Sequence, residues 1–175
     1  MSNMPDIQSE TPEVSAFELL SPDPDLRLGI VRKLVDLFYD EMDSNPHYSR
    51  IRALHPPSLN GSRDKFFWFL SGWLGGPDLY QNRFGHPRLR MRHMPFHIES
   101  TDRDQWLMCM AHALAQVGLS SAQQETLMMS FFRTADWMRN QPDAPGSNAQ
   151  LKAQGITITG RADTPEESSR GSHES

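Results

Sequence analysis

Cysteine is nearly absent from this chain of 175 residues, which contains Cys109 alone. A single cysteine excludes an internal disulfide and any zinc site built from several thiolates, and it favours a reducing compartment. An excess of basic residues is also lacking: 17 Lys and Arg stand against 22 Asp and Glu, for a net charge of −5. This balance disfavours general nucleic-acid binding, and we expect no nucleic-acid partner.

Long apolar runs are missing as well. No stretch approaches the ~18 consecutive apolar residues that a membrane-spanning helix needs. The N-terminus is acidic and contains prolines, whereas a signal peptide begins with a basic and then an apolar segment. We therefore expect a cytoplasmic protein without membrane contact, and the length favours one domain.

Aromatic residues are absent from residues 141–175, because all nine Phe, four Trp and three Tyr lie between Phe17 and Trp137. We predict a disordered polar tail over 141–175, in which the brief strand pattern of residues 155–159 has no partner. Residues 1–24 carry four prolines and read as a flexible arm, in which only the short apolar stretch from Phe17 to Leu20 can dock. The globular domain is predicted to span residues 25–140.

Helical periodicity runs through this domain and predicts an all-α fold. Apolar residues from Ile30 to Met42 recur at helical spacing in a helix that ends near Asn45-Pro46. Ser62 is the predicted N-cap of a second helix, which stops at Gly75-Gly-Pro77. Three further helices follow. They are a short one from Pro87 to His93, one capped by Thr101 and Asp104 that closes at Gly118, and one opened by a Ser121–Gln124 capping box that reaches Met138.

A basic run, Arg83, Arg88, Arg90 and Arg92, stands out in this acidic chain. It is either a solvated basic face or the neighbour of an anion. In a helix that starts at Pro87, Leu89 and His93 share one face at i,i+4 spacing. Such a helix suits a flat apolar ligand with carboxylate arms, because carboxylates pair well with Arg at a solvent edge.

Histidines raise the question of a metal. His93 and His97 have the spacing of a helical zinc pair, but Pro95 between them breaks that face, and Cys109 with His112 offers two ligands at most. A haem iron, in contrast, requires only one protein ligand.

Three further side chains combine an apolar body with one hydrogen-bonding tip: Tyr39, Trp106 and His55. Each is compatible with ordinary core packing. Together they could line a pocket with donors aimed at a ligand.

Several motifs then fall into a known order and spacing: Phe38-Tyr39, Gly75-Gly-Pro77, Tyr80, Gly85-His-Pro-Arg-Leu-Arg-Met-Arg-His93, Pro95-Phe96 and Arg103-Asp-Gln-Trp-Leu107. Residues 16–140 thereby resemble the group II truncated haemoglobins. The resemblance implies a shortened globin fold, with two helices packed over two around haem b.

The resemblance also implies roles for individual residues. By this match His93 is similar to the proximal iron ligand, and Arg92 is similar to the residue that pairs with a haem propionate. The distal side would contain Tyr39, Trp106, Ser62, Phe66 and His55. Further haem contacts are expected from four residues: Lys65, Leu89, Phe96 and His86.

His55 occupies a position where the family more often has Phe or Tyr. It could donate a hydrogen bond to a ligand or coordinate the iron itself. The expected function is binding of O2, CO, NO or similar ligands, with slow O2 release and an unidentified electron donor. Slow O2 release fits a redox, sensing or detoxifying role better than bulk oxygen transport. Such a role could be peroxidase-like or directed at reactive nitrogen species.

The oligomeric state expected is a monomer or a weak homodimer. The alternative to a haem protein is a helical interaction module that presents the face from Arg83 to Arg92 to an acidic partner.

Overall fold

The computed structural model describes residues 13–143, which form eight α-helices and one 3-10 turn. The described helices are α1 (Ala16–Leu19), α2 (Pro24–Ser44), α3 (Ser49–Arg52), α4 (Asn60–Trp73), α5 (Leu79–Phe84), α6 (Leu89–His93), α7 (Ser100–Leu114) and α8 (Ser121–Trp137), and the turn spans Pro46–Tyr48. Helices α2 and α4 pack together, as do α7 and α8, and α2 also packs on α7. This two-over-two arrangement of helices is the predicted all-α fold.

Helix α2 provides the centre of the core. Asp23 caps its N-terminus by accepting a hydrogen bond from the Asp25 N–H, and Pro24 occupies the first turn, where a missing N–H costs nothing. Its buried face reads Val31, Leu34, Val35, Phe38, Tyr39 and Met42. Because these positions recur every three or four residues, they form one apolar stripe against α4 and α7.

Helix starts differ from the predicted ones by one to three residues. α4 begins at Asn60, so Ser62 lies inside the helix and is not its N-cap. The last helix is opened by a Ser120–Gln123 capping box, and α7 by Glu99 with Asp102. The observed N-cap residue lies one residue before the predicted one in the last helix and two residues before it in α7. The cap is the residue at which the backbone leaves helical geometry, and the sequence pattern does not mark that residue.

The segment before His93 is also more divided than predicted. α5 forms a separate turn of helix that the sequence pattern did not reveal. α6 starts at Leu89 rather than Pro87, because Arg88 adopts a left-handed conformation with φ of 45°. This short helix still places Leu89 and His93 on one face.

Both ends of the described chain contact the helical domain. The Phe17 N–H donates to the Leu74 carbonyl at 2.8 Å, and the Phe17 ring covers Gly76, where a Cβ atom would lie only 2.7 Å from it. At the other end, Gln141 and Asp143, assigned to the tail from sequence, bond to the Ile98 carbonyl and the Ser100 N–H respectively. Residues 1–12 and 144–175 lie outside the described residues, and with them half of the predicted arm, most of the predicted tail and the strand pattern of residues 155–159.

Among residues 13–143, no helix combines the length and the apolar character needed to cross a lipid bilayer.

Candidate functional site

A cavity of about 460 Å³ opens between α2, α4, α6, α7 and α8. Its volume lies within the ~300–1,000 Å³ typical of cofactor and ligand sites. Most of its wall is apolar or aromatic, with a few polar groups. Its lining includes ten residues chosen from the sequence: Tyr39, His55, Ser62, Lys65, Phe66, Leu89, Arg92, His93, Phe96 and Trp106.

His93 lies on the α6 side of the cavity. Its Nδ1 is 2.7 Å from the Leu89 carbonyl oxygen, which can only accept, so we assign the N–H to Nδ1. The Nε2 lone pair is then available for a metal. The Asn140 side chain donates to the carbonyls of His93 and Phe96 at 3.2 and 2.7 Å, and so ties α6 to the end of α8.

Two cations stand at the edge of the cavity. Arg92 and Lys65 are exposed, line the cavity and have no carboxylate partner among residues 13–143. The Arg92 guanidinium lies 5.9 Å from the centre of the Tyr80 ring. An apolar cavity with two unpaired cations at its edge suits a flat apolar ligand that carries carboxylates.

Tyr39 and Trp106 form part of an aromatic cluster in the cavity wall. Phe38 lies between them, with ring centroids 5.0 Å from Tyr39 and 5.1 Å from Trp106, and Phe66 packs on both. Neither the Tyr39 hydroxyl nor the Trp106 indole N–H has a hydrogen-bond partner within the described part of the chain. Burial raises the pKa of Tyr39 well above its ordinary value, so its hydroxyl stays protonated and can donate.

His55 lines the same cavity with its ring 5.7 Å from that of Tyr39. Its Nδ1 lies 2.8 Å from the Ile51 carbonyl oxygen, so this nitrogen carries the proton. Burial lowers the pKa of His55, which favours the neutral ring. Nε2 is therefore an acceptor in this geometry, and the ring has no second N–H to donate to a ligand.

An ion-pair network fixes the start of α7, one turn before Trp106. Asp102, buried and in the cavity wall, accepts from Arg50 Nε at 2.6 Å. Arg103 bonds to Asp104 at 2.9 Å and to Asp136 of α8 at 2.5 Å. These contacts hold α7 against α3 and α8.

Asp102 and Arg103 were not predicted to line the cavity. The partners Arg50 and Asp136 are 52 and 33 residues away in the chain, so local pattern carries no signal for them. The apolar periodicity of α4 and α8 could have revealed several other wall residues: Phe69, Trp73, Phe131, Ala135 and Met138.

His86 was predicted to contact the haem, but the structure places it outside the cavity. It is exposed and does not belong to the described cavity wall, and its Nδ1 accepts a hydrogen bond from the Arg88 N–H. The reason is local: His86 precedes the left-handed residue Arg88, so it lies outside α6 and its inward face.

This chain is similar to known proteins in both sequence and structure. The family model described as "Bacterial-like globin" matches residues 27–140. The chain belongs to the bacterial-like globin family. Residues 27–140 include α2 from its fourth residue onward, every element from α3 to α8 and the whole cavity wall.

Individual relatives place this globin among the truncated haemoglobins. The Group 2 truncated hemoglobin YjbI of Bacillus subtilis is 39% identical over 115 residues, which cover 66% of this chain and 85% of the relative. The Group II 2-on-2 hemoglobin from Agrobacterium tumefaciens is 34% identical, with a TM-score of 0.68 over 77% of this chain and 99% of that one. A truncated oxygen-avid haemoglobin from Bacillus subtilis is 36% identical, with a TM-score of 0.60 over 72% and 99%. The resemblance to group II truncated haemoglobins is thereby confirmed.

Globins of this family bind haem b, and the residues present fit that cofactor. The apolar wall suits the porphyrin, the lone pair of His93 Nε2 suits the iron, and the unpaired Arg92 and Lys65 suit the two propionates. No three His, Cys, Asp or Glu side chains between residues 13 and 143 form a metal cluster. A haem needs only one such ligand.

Proposed function

We propose that this globin binds O2 and other diatomic ligands, CO and NO among them, in the haem cavity, with His93 as the proximal ligand. The observation that carries the proposal is the pair of unpartnered donors, Tyr39 O–H and Trp106 N–H, in an apolar wall. Buried polar groups normally find partners, and a donor without one in a cavity is ready for a ligand. The haem iron supplies the bond to the ligand, and the chain supplies its surroundings.

Arg92 and Lys65 would hold the propionates at the edge of the cavity. Tyr39 and Trp106 would donate to the ligand from the opposite side. A ligand that carries partial negative charge, such as O2 on haem, is stabilised by such donors more than CO is. The relative from Bacillus subtilis named oxygen-avid is consistent with this reasoning.

Tight retention of O2 favours redox, sensing or detoxifying work over bulk oxygen transport, because a carrier must release its cargo quickly. A specific observation supports peroxide chemistry as a second candidate. The neutral His55 presents an unprotonated Nε2 to the cavity, where it could accept a proton from peroxide and return it.

Stopped-flow kinetics on the haem-loaded protein tests both candidates. Retention of O2 predicts a dissociation rate that Trp106→Phe and Tyr39→Phe each increase. Peroxide chemistry predicts turnover that His55→Phe reduces while O2 release stays nearly unchanged. If neither donor variant alters O2 release, the proposed role of the cavity is wrong.

A further inference from the structure

Exposed apolar side chains concentrate around α6. Nine large hydrophobic side chains are exposed in the described structure, and five of them lie here: Phe84, Met91, Met94, Phe96 and Trp137. Met91, Met94 and Trp137 each expose more than half of their surface, at 57%, 55% and 59%. Trp137 belongs to this group although it lies on α8, because the Arg90 guanidinium donates to its carbonyl oxygen.

The same region is basic in an acidic chain. Residues 79–98 contain Arg83, Arg88, Arg90 and Arg92 but no Asp or Glu. None of these four arginines has an ion-pair partner within residues 13–143. Arg92 would pair with a haem propionate, so Arg83, Arg88 and Arg90 carry the charge that a partner would meet. Arg83 lies over the Trp68 ring at 4.4 Å, and Arg90 binds the backbone carbonyls of Trp137 and Arg139, so both side chains are held in place while keeping their charge.

We name this surface the α6 face and define it by Phe84, Arg88, Met91, Met94 and Trp137, which leaves out the cavity residues Arg92 and Phe96. Its composition is unlike that of an ordinary solvated surface. Aromatic residues, Met and Arg are the residue types enriched at protein interfaces, and Trp and Arg are frequent energetic anchors. A solvated basic face would not need the exposed rings and methionines.

The α6 face borders the haem cavity. Arg92 and Phe96 are both exposed and part of the cavity wall, and His93 lies between them in the chain. A partner on this surface would therefore lie beside the residues that hold the cofactor. Electron delivery is a task that requires a partner close to the cofactor, and the proposed redox chemistry requires an electron donor.

We propose that the α6 face docks an acidic one-electron carrier protein, of the iron–sulfur or flavin class, that reduces this globin. The inference rests on the proposed function, since only a haem-loaded chain has an electron to receive. In the transfer, the carrier loses one electron and ferric iron becomes ferrous, and no bond forms or breaks. A second copy of this chain is a poorer occupant because two α6 faces would repel each other.

The experiment measures how fast a reduced plant-type [2Fe–2S] ferredoxin, a small acidic probe, reduces the ferric haem-loaded protein under anaerobic conditions. Opposite charges accelerate encounter, so the bimolecular rate constant should fall steeply as ionic strength rises. Arg88→Glu should lower that constant by about five- to ten-fold at low salt, and Trp137→Ser should lower it at all salt concentrations. Neither residue lines the cavity.

Lys33→Glu is the matched control, because Lys33 is an exposed residue of α2 and undergoes the same charge reversal. At about 0.1 M salt, where the Debye length is ~10 Å, it should change the rate constant by less than about two-fold, because Lys33 is not part of the α6 face. A small neutral photoreductant should reduce all variants equally. This measurement, together with an intact Soret band, separates failure of docking from failure of haem binding.

Equal rate constants for Arg88→Glu and Lys33→Glu would overturn the proposal, as would reduction that is independent of salt. Two other findings, each with unaffected ferredoxin kinetics, would overturn the proposal and assign the α6 face to another occupant. Self-association that Trp137→Ser abolishes would assign the face to a second copy of this chain. Binding to phosphatidylserine vesicles that Arg88→Glu abolishes would assign it to a membrane surface.

Discussion

Replacing Trp106 by Phe removes one indole N–H from the cavity while retaining an aromatic ring. In the structure the indole packs against Phe38, Phe66 and Phe131 at centroid distances of 5.1, 6.0 and 5.7 Å. These contacts fix the ring, so its unpartnered N–H would need no further ordering to donate to a ligand in the cavity. A phenyl ring can keep much of the packing but cannot donate.

The magnitude follows from the charge on the acceptor. A hydrogen bond to a charged group contributes about 1.5–3 kcal/mol, and ~1.4 kcal/mol corresponds to a factor of ten. If the whole loss appears in the barrier to release, O2 should dissociate about 10 to 100 times faster from the Trp106→Phe variant. CO, whose bound form carries less charge, should respond by much less.

The assay is stopped-flow displacement of O2 by CO from the ferrous protein, with CO release measured in parallel. Tyr39→Phe removes a donor with almost no change in volume and should also accelerate O2 release. Phe131→Leu is the packing control, because it disturbs the neighbour of Trp106 without removing a donor. If Phe131→Leu and Trp106→Phe have equal effects, or if O2 and CO respond alike, Trp106 acts by packing and the hydrogen-bond argument fails.

Four further predictions follow from the same structure. His93→Gly should abolish five-coordinate ferrous haem and exogenous imidazole should restore it, whereas His86→Gly should not alter the spectrum because His86 lies outside the cavity wall; the reverse pattern would refute the assignment. In the haem-free protein, the free energy of unfolding should fall as pH drops below about 6.5, because the half-buried neutral His55 has a lowered pKa and the unfolded chain takes up the proton first; His55→Phe should flatten this slope, and an unchanged slope in chemical denaturation would contradict it. Gly75→Ala should cost about 1–3 kcal/mol of stability, since Gly75 has φ of +97° and a Cβ atom there would approach the Ser15 Cβ at 2.8 Å; a loss below that range in urea denaturation would argue against this packing of the N-terminal segment. Deleting residues 144–175, which contain no aromatic residue, should leave the Soret maximum and haem affinity unchanged, and weaker haem binding on titration would show that this segment contributes.

The helical fold and part of the cavity wall, ten of its 24 residues, were predictable from local periodicity and from the family resemblance. Apolar periodicity places Phe38 and Tyr39 on the buried side of α2, and the spacing of Leu89 and His93 puts both on one face of α6. Helix starts were less predictable: several polar residues near each start could serve as a cap, and only the backbone geometry selects Ser120 over Ser121.

The chemistry of the site depended on contacts that no local pattern encodes. The expectation that His55 either donates a hydrogen bond to a ligand or coordinates the iron depends on which ring nitrogen carries the proton. The carbonyl of Ile51 settles this, and it comes within 2.8 Å only because the residues after α3 turn tightly. Likewise, the position of Trp106 depends on Arg50 reaching across 52 residues to Asp102.

The visible absorption spectrum of the haem-reconstituted protein tests the central claim most directly, that His93 holds haem in this cavity. We predict stoichiometric haem uptake and a five-coordinate ferrous form. CO should convert this form to a six-coordinate complex with a sharp Soret band. Both should be lost in His93→Gly and retained in His86→Gly. Failure to take up haem, or a His93→Gly spectrum identical to that of the parent protein, would contradict it.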